Sequence, residues 1–233
     1  MVVPSPLGPS GPSPWLARRN LFDRLVCALV AVPLAPVAAV LAALIARDSP
    51  GAPVIRLPRV GRGGRPFGLW KLRSMRVAEP GVATAAITVA DDDRITPIGR
   101  KVRRWRLDEL PQLANVVAGK MALIGPRPES PSFVDVDDPR WRSVLAARPA
   151  IAGPTQLMVH EWEATNLDVD TYRQDILPVK LAIDAWYVAN ASPALDLLVV
   201  TGLARSLLLG HGDTALHRRV RAAVPEAGRI PAG

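Results

Sequence analysis

Between Leu25 and Ala46 the chain runs for 22 residues without a charged side chain, and this run constrains the fold more than any other feature. As a straight helix it would reach roughly 33 Å, enough to cross a hydrocarbon core of about 30 Å. Two prolines, Pro33 and Pro36, stand near its middle. Each removes a backbone donor and costs on the order of 3 kcal/mol inside a helix, so a break is expected there. The flanking halves, Leu25–Val32 and Val37–Ala46, then reach only about 12–15 Å each, half a bilayer. These lengths favour a re-entrant hairpin, with Pro33 and Pro36 as the membrane break, over a kinked single span or a buried helix. A signal peptide fits poorly, because the apolar run is too long and lacks an A-x-A cleavage pattern. Arg18, Arg19 and Arg24 precede the run, and Arg47, Arg56, Arg59, Arg62 and Arg65 follow it. Arginines on both sides put both ends on the cytoplasmic face of the membrane.

Charge narrows the partners less than topology does. With 29 Lys+Arg against 21 Asp+Glu the formal net charge is +8, which attracts polyanions of any kind. Nucleic acid, an anionic leaflet and phosphorylated substrates all qualify. The aromatic–basic interleaving of single-strand binders is absent, and so is a helix-turn-helix pattern, so no nucleic-acid partner is expected. The lone cysteine, Cys27, lies inside the apolar run and reads as a buried, inert thiol. His160, His211 and His217 are scattered without metal-ligand spacing.

Four regions follow from composition. Residues 1–17, rich in Pro, Ser and Gly, read as a disordered leader, 18–47 as the membrane segment, 48–209 as the main domain and 210–233 as a basic flexible tail. Val54–Val60 and Phe67–Met75 flank Gly61-Arg62-Gly63-Gly64-Arg65 and predict a β-hairpin. Those glycines are not a nucleotide fingerprint, since neither the G-x-G-x-x-G spacing nor a following Lys-Ser/Thr is present. Lys71 and Arg73, two apart on the second strand, are expected on one face, either solvated or as a cationic pair. Helices are predicted from Pro97 to Arg104, over Glu109–Val117, Trp141–Ala147, Tyr172–Ala189 and, as an apolar surface helix, Leu195–Leu209. Asp91 and Asp92 read as solvated charge.

The chemistry concentrates in Arg103-Arg104-Trp105-Arg106-Leu107-Asp108-Glu109-Leu110-Pro111-Gln112. Pro111 is tolerated without loss of a hydrogen bond only in a first helical turn, so Asp108 is expected at or just before a helix N-terminus. Such an end suits an anion, yet an aspartate there also simply caps the helix. The residues alone leave both readings open.

Taken in order, Lys71-x-Arg73-x-Met75, the stretch from Asp93 to Gln112 and Gly125-Pro126-Arg127-Pro128 resemble the bacterial sugar transferases, the monotopic polyprenyl-phosphate phosphoglycosyltransferases. A further stretch, Asp184-x-x-Tyr187-x-x-Asn190-x-Ser192-x-x-Leu195-Asp196, extends the resemblance, which runs from about Arg19 to Leu209. It implies an α-rich α+β fold: a re-entrant membrane helix hairpin and a compact cytoplasmic catalytic domain with a small β-hairpin and membrane-surface helices. It also implies transfer of a phosphosugar from a UDP-sugar to polyprenyl (undecaprenyl) phosphate, with release of UMP through a covalent aspartyl intermediate. Asp108 would be the nucleophile and Glu109 its neighbour at Mg²⁺. Lys71, Arg73, Arg103, Arg127 and Asp184 would serve substrate and phosphate binding. UDP-sugar, polyprenyl phosphate and membrane lipid are the expected partners, with homo-oligomerisation left open. The sequence also departs from the family pattern. Ala35-Pro36 stands where Ser-Pro is usual, Gly119-Lys120-Met121-Ala122-Leu123 where Gly-Asp-Met-Ser-Leu is usual, and Arg148–Pro154 with residues 154–165 diverges further. The sugar therefore stays unnamed. A membrane-tethered binding protein with a structural acid pair is the alternative of another class.

Overall fold

A computed structural model describes residues 11–77, 92–165, 168–210 and 214–231. Helix α1, Trp15–Arg18, leads into α2, Asn20–Asp48, which keeps helical conformation through both Pro33 and Pro36. The break expected at those prolines is thus replaced by one helical run, in which each proline withdraws a single donor from the ladder. Among the described residues, this N-terminal stretch is the one helix long and apolar enough to cross a membrane. Its middle is bare: Leu29 is 76% and Val32 74% exposed.

Both ends of α2 are anchored in the same domain. Near its start, Arg19 donates to the Tyr187 hydroxyl at 2.7 Å and also binds Asp196 and the carbonyl of Ile124. Asp23 accepts from the amide of Leu123 at 3.2 Å, and Arg24 donates to the carbonyl of Val117 at 2.9 Å. Cys27 is buried in a cluster with Leu69, Val116 and Met121. At the far end Ile45 packs with Leu72 and Val102. There Arg73 donates to the carbonyls of Ser49 at 2.6 Å and Ile45 at 3.4 Å, and to that of Pro50. Those acceptors include helix-end carbonyls that lack intrahelical partners.

The hairpin is as expected at its first strand and shorter at its second. Strands β1, Val54–Val60, and β2, Pro66–Leu72, pair antiparallel with Val54 opposite Leu72. Gly63 and Gly64 turn the chain with φ of 67° and 77°, values that L side chains adopt at a cost. Helix α3, Pro97–Arg104, starts on Thr96, whose hydroxyl accepts from the amide of Gly99 at 2.9 Å. After a 3₁₀ turn at Leu107–Glu109 comes α4, Gln112–Val117. Asn115 on α4 stitches the helix to β2, accepting from the amide of Trp70 at 3.0 Å and donating to the carbonyl of Gly68 at 2.8 Å.

Strand β3, Ala122–Ile124, runs parallel to β4, Ala150–Ala152, with α5, Pro139–Leu145, between them. Short helices α6, Pro154–Met158, α7, His160–Thr165, and α8, Val169–Thr171, precede a π-helical turn at Tyr172–Ile176. Helices α9, Leu177–Asn190, and α10, Pro193–Leu209, then form the spine of the core.

Two expectations for the termini are corrected. Residues 1–10 of the expected leader lie outside the described residues, but residues beyond them are fixed: Ser13 donates to the carbonyl of Ala191 at 2.7 Å, and the Trp15 indole donates to Asp196 at 2.8 Å. The expected flexible tail contains α11, Ala215–Ala223, followed by a 3₁₀ turn at Pro225–Arg229. Leu216, Val220, Val224 and Ala227 are buried among Ile183, Leu195 and Val199. Their spacing of four, four and three is a helical apolar stripe, hidden in the sequence by the arginines around it.

Candidate active site

The acid pair sits in the 3₁₀ turn between α3 and α4, and local backbone puts it there. Arg106 adopts φ 54° and ψ 22°, the one non-glycine residue with positive φ among the described residues. A left-handed residue ends α3 as glycine would, at a steric cost. Pro111, with φ −62°, then opens α4. Asp108 and Glu109 are both buried, Asp108 to 3% exposure. Two charges this deep need partners. The Lys71 ammonium lies 2.7 Å from Oδ2 of Asp108, and the Arg127 guanidinium 2.7 Å from Oε1 of Glu109.

These side chains, rather than a helix end, supply the positive potential. Helix α4 has six residues, too few aligned peptides for a strong macrodipole. Burial alone would raise the Glu109 carboxyl, but Arg127, Lys71 and Arg106 outweigh it and hold the group below the ordinary glutamate range. The same pairing with Glu109 pushes Arg127 upward against its burial. Gln156 on α6 ties the cations together. Oriented with its amide oxygen inward, it accepts from Arg127 at 2.8 Å and from Arg106, and donates to the carbonyl of Ile151 at 3.2 Å.

Arg127 is held by the turn that carries it. The Gly125 amide bonds the carbonyl of Ala152 at 2.8 Å, the Ala150 amide that of Pro126 at 2.7 Å, and the Val60 amide that of Glu129 at 3.2 Å. The Glu129 carboxylate is then fixed by Lys180 of α9 and accepts from the Tyr172 hydroxyl at 2.9 Å. Lys180 also binds Glu163 at 2.6 Å and the Tyr172 hydroxyl at 2.8 Å. Burial pushes the Glu129 carboxyl up, yet Lys180, Tyr172 and Arg59 bring it below its usual value. This second network was not read from sequence. Its signal was Lys180 and Asp184, one helical turn apart on an otherwise apolar helix.

The expected site residues therefore separate. Lys71, Asp108, Glu109 and Arg127 converge, joined by Arg106 and Gln156. Arg73 leaves them for the end of α2: β2 stops at Leu72, and the two-residue alternation that would pair Arg73 with Lys71 lapses there. Arg103 lies on α3 with its charge acting on Asp92, which Arg94 binds at 2.6 Å. Asp92 is thus ion-paired rather than simply solvated; Asp91 lies outside the described residues. Asp184 is buried in α9 and accepts from the hydroxyl of Thr155, the chain neighbour of Gln156, at 3.1 Å. No ion pair or hydrogen bond joins it to Lys71, Glu109 or Arg127 among the described residues.

Asp184 carries a pH signature. Burial raises its carboxyl to about 7, with Lys180 and Thr155 opposing the shift. An unfolded aspartate titrates near 4. Between these values the unfolded chain has lost the proton while the folded chain keeps it, so this group's contribution to stability falls as pH rises from about 4 to about 7. Asp184→Asn keeps an acceptor for Thr155 and removes the effect. The variant is expected to match wild type in Tm near pH 4 and to exceed it at pH 7.5, with a ceiling of about 4 kcal/mol. Parallel Tm–pH curves for the two proteins would contradict this.

The donor chemistry also fits a hard cation. Lys71 takes one oxygen of Asp108 and Arg127 one oxygen of Glu109, and no hydrogen bond to the other oxygen of either is found among the described residues. No cluster of three or more His, Cys, Asp or Glu suited to a metal occurs among them. Two carboxylates with spare oxygens suit a Mg²⁺ ion that completes its shell with oxygens from elsewhere, not a cage made by protein alone.

An apolar helix anchored at both ends in an α-rich domain, beside a buried acid pair held by cations, defines the architecture. The chain belongs to the bacterial sugar transferase family, whose model matches residues 15–209. It is 38% identical over 211 residues to an Aeromonas hydrophila protein named UDP-N-acetylgalactosamine-undecaprenyl-phosphate N-acetylgalactosaminephosphotransferase, covering 88% of this chain and 47% of that one. It is 35% identical over 208 residues to a Caulobacter vibrioides UDP-glucose:undecaprenyl-phosphate glucose-1-phosphate transferase, covering 87% and 75%. A Rhizobium leguminosarum exopolysaccharide production protein is 32% identical over 189 residues, covering 78% and 90%. The chain thus spans about half of the first relative's length and most of the other two.

Proposed function

We propose that this chain moves a phosphosugar from a UDP-sugar to polyprenyl phosphate, with Asp108 as the nucleophile, as a membrane step of polysaccharide or glycoconjugate synthesis. The observation that carries the reading is the buried Asp108–Glu109 pair, each acid on its own cation. The relatives named for undecaprenyl-phosphate sugar phosphotransfer supply the substrate class. A carboxylate oxygen of Asp108 attacks the β-phosphorus, the bond from that phosphorus to the bridging oxygen breaks, and UMP leaves with the electron pair. The resulting acyl phosphate carries the sugar. A phosphate oxygen of the polyprenyl carrier then attacks the same phosphorus and restores the carboxylate. Lys71 holds Asp108 in place, while Arg127 and Arg106, converged by Gln156, offset the repulsion between the acid pair and a polyanionic substrate. Bound at the spare oxygens of Asp108 and Glu109, Mg²⁺ would neutralise charge on the diphosphate.

The same reading makes α2 re-entrant. A helix that spanned the bilayer would leave its two ends on opposite faces, yet one domain holds both Arg19 and Ser49. The bare middle of the helix then dips into the leaflet, with the domain on the cytoplasmic face. With Cys27→Ser as background, Ala17→Cys and Arg62→Cys should react with an impermeant maleimide from the same side of sealed vesicles. Labelling from opposite sides would make α2 a span.

The activity is tested with detergent-purified full chain, a panel of UDP-sugars, Mg²⁺ and undecaprenyl phosphate. One UDP-sugar at least is expected to release UMP in a lipid-dependent manner that EDTA suppresses. Silence with every UDP-sugar would contradict the reading.

A further inference from the structure

Away from the acid pair, a groove of about 310 Å³ opens between α10 and α11, lined by Leu198, Gly202, Arg205, Thr214, Leu216 and Arg218 among others. Its floor is apolar, with Leu216 fully buried. Its rim carries Arg205 and Arg218, both exposed, and neither has a carboxylate within ion-pair distance among the described residues. Arg219 and Arg221, also exposed, extend the basic face along α11. Because Leu216 and Val220 are locked in the core, the helix cannot turn these cations away. Among the described residues of α10 and α11 the single acid is Asp196, which is consumed by Arg19. On the described residues of these two helices the outward charge is therefore uniformly positive.

Beside this charge lies exposed hydrocarbon. Leu197, Val200 and Leu208 lie along the outer side of α10 and are 62%, 47% and 75% exposed. This apolar stripe starts next to Asp196, the residue fixed to Arg19, and the exposed Leu21, Phe22 and Leu25 of α2 start from that same anchor. Both apolar stretches thus begin beside one anchor, the Arg19–Asp196 pair. A basic rim alone would suit any polyanion. A basic rim joined to an apolar stripe suits the boundary between headgroups and acyl chains.

We infer that the α10–α11 groove binds the phosphate headgroup of an anionic phospholipid of the leaflet, with Arg205 and Arg218 on the phosphate and Leu197, Val200 and Leu208 in the acyl boundary. Helix α11 lies beyond the residues matched to the family, and the groove is separate from the acid pair. The site therefore goes beyond the proposed transfer reaction and does not depend on it.

The test uses native mass spectrometry of the full chain in neutral detergent, titrated with phosphatidylglycerol. Wild type should retain bound phosphatidylglycerol in preference to phosphatidylcholine, and inorganic phosphate at equal concentration should not displace it. The double variant Arg205→Ala/Arg218→Ala should bind about thirtyfold more weakly, the contribution of two basic side chains at an anionic surface. Arg205→Lys/Arg218→Lys should restore most of the affinity. Both side chains are exposed, so Tm and UMP release in detergent micelles that hold undecaprenyl phosphate but no phospholipid should be unchanged. Retention within about threefold in the alanine variant would overturn the inference, as would equal binding of phosphatidylcholine. Displacement by inorganic phosphate would make this a plain anion site. Loss of UMP release with intact phosphatidylglycerol binding would assign the groove to the polyprenyl substrate instead.

Discussion

Asp108→Asn should lower the rate of UMP release by roughly 10⁴-fold or more while leaving the protein folded. The amide has the shape of the carboxylate but neither its charge nor its nucleophilic oxygen, so the acyl phosphate cannot form. Stability should change little. Lys71, the partner left behind, is 19% exposed at its side chain and can turn to water, so the lost pair is worth on the order of 1 kcal/mol. Activity measured alongside Tm separates the two effects: a collapse of turnover at nearly constant Tm is the expected pattern. Turnover near the wild-type rate would remove Asp108 from the chemistry. A large fall in Tm would make the acid pair structural, as the tether alternative has it.

Lys180→Met is expected to give the opposite pattern, with the largest effect on stability. Its ammonium sits among Glu129, Glu163 and the Tyr172 hydroxyl, nearly out of reach of solvent. Removing one member of a buried ion network leaves uncompensated charge and costs about 3–5 kcal/mol. For a chain of this length that is a fall in Tm of roughly 6–20 °C. Glu129 follows Arg127 by two residues, so the loss should also loosen the turn that presents Arg127 to Glu109. Adding Glu129→Gln and Glu163→Gln removes the stranded charges and should recover most of the fall. A single variant within about a degree of wild type would mean that this cluster does not hold the fold.

The sequence disclosed what depends on short-range patterns. The first strand, Val54–Val60, and the helix from Pro97 to Arg104 have the bounds expected of them, because alternation, a glycine turn and a Thr-Pro start are local signals. Lys71, Asp108, Glu109 and Arg127 could be named from sequence only through the family resemblance; nothing local says that a lysine on one strand meets an aspartate 37 positions later. Arg73 shows the limit of periodicity. It shares Lys71's parity, but the strand ends between them and the guanidinium goes to helix-end carbonyls. Arg19 and Asp196 hold the N-terminal helix to the core from opposite ends of the chain, and local reading saw in Arg19 only a topological charge. Helix α11 failed to register for the reverse reason. Its apolar stripe was present, and the surrounding basic composition outweighed it.

The central claim, an aspartate that carries the phosphosugar between donor and carrier, is tested most directly by catching it. Full chain incubated with an accepted UDP-sugar and Mg²⁺, without polyprenyl phosphate, is acid-quenched, digested and weighed. The expected result is a mass increase of one phosphosugar on the peptide containing Asp108, removed by adding polyprenyl phosphate and absent in Asp108→Asn. An unmodified peptide from enzyme that releases UMP with the carrier present, or an adduct on another residue, would contradict the account.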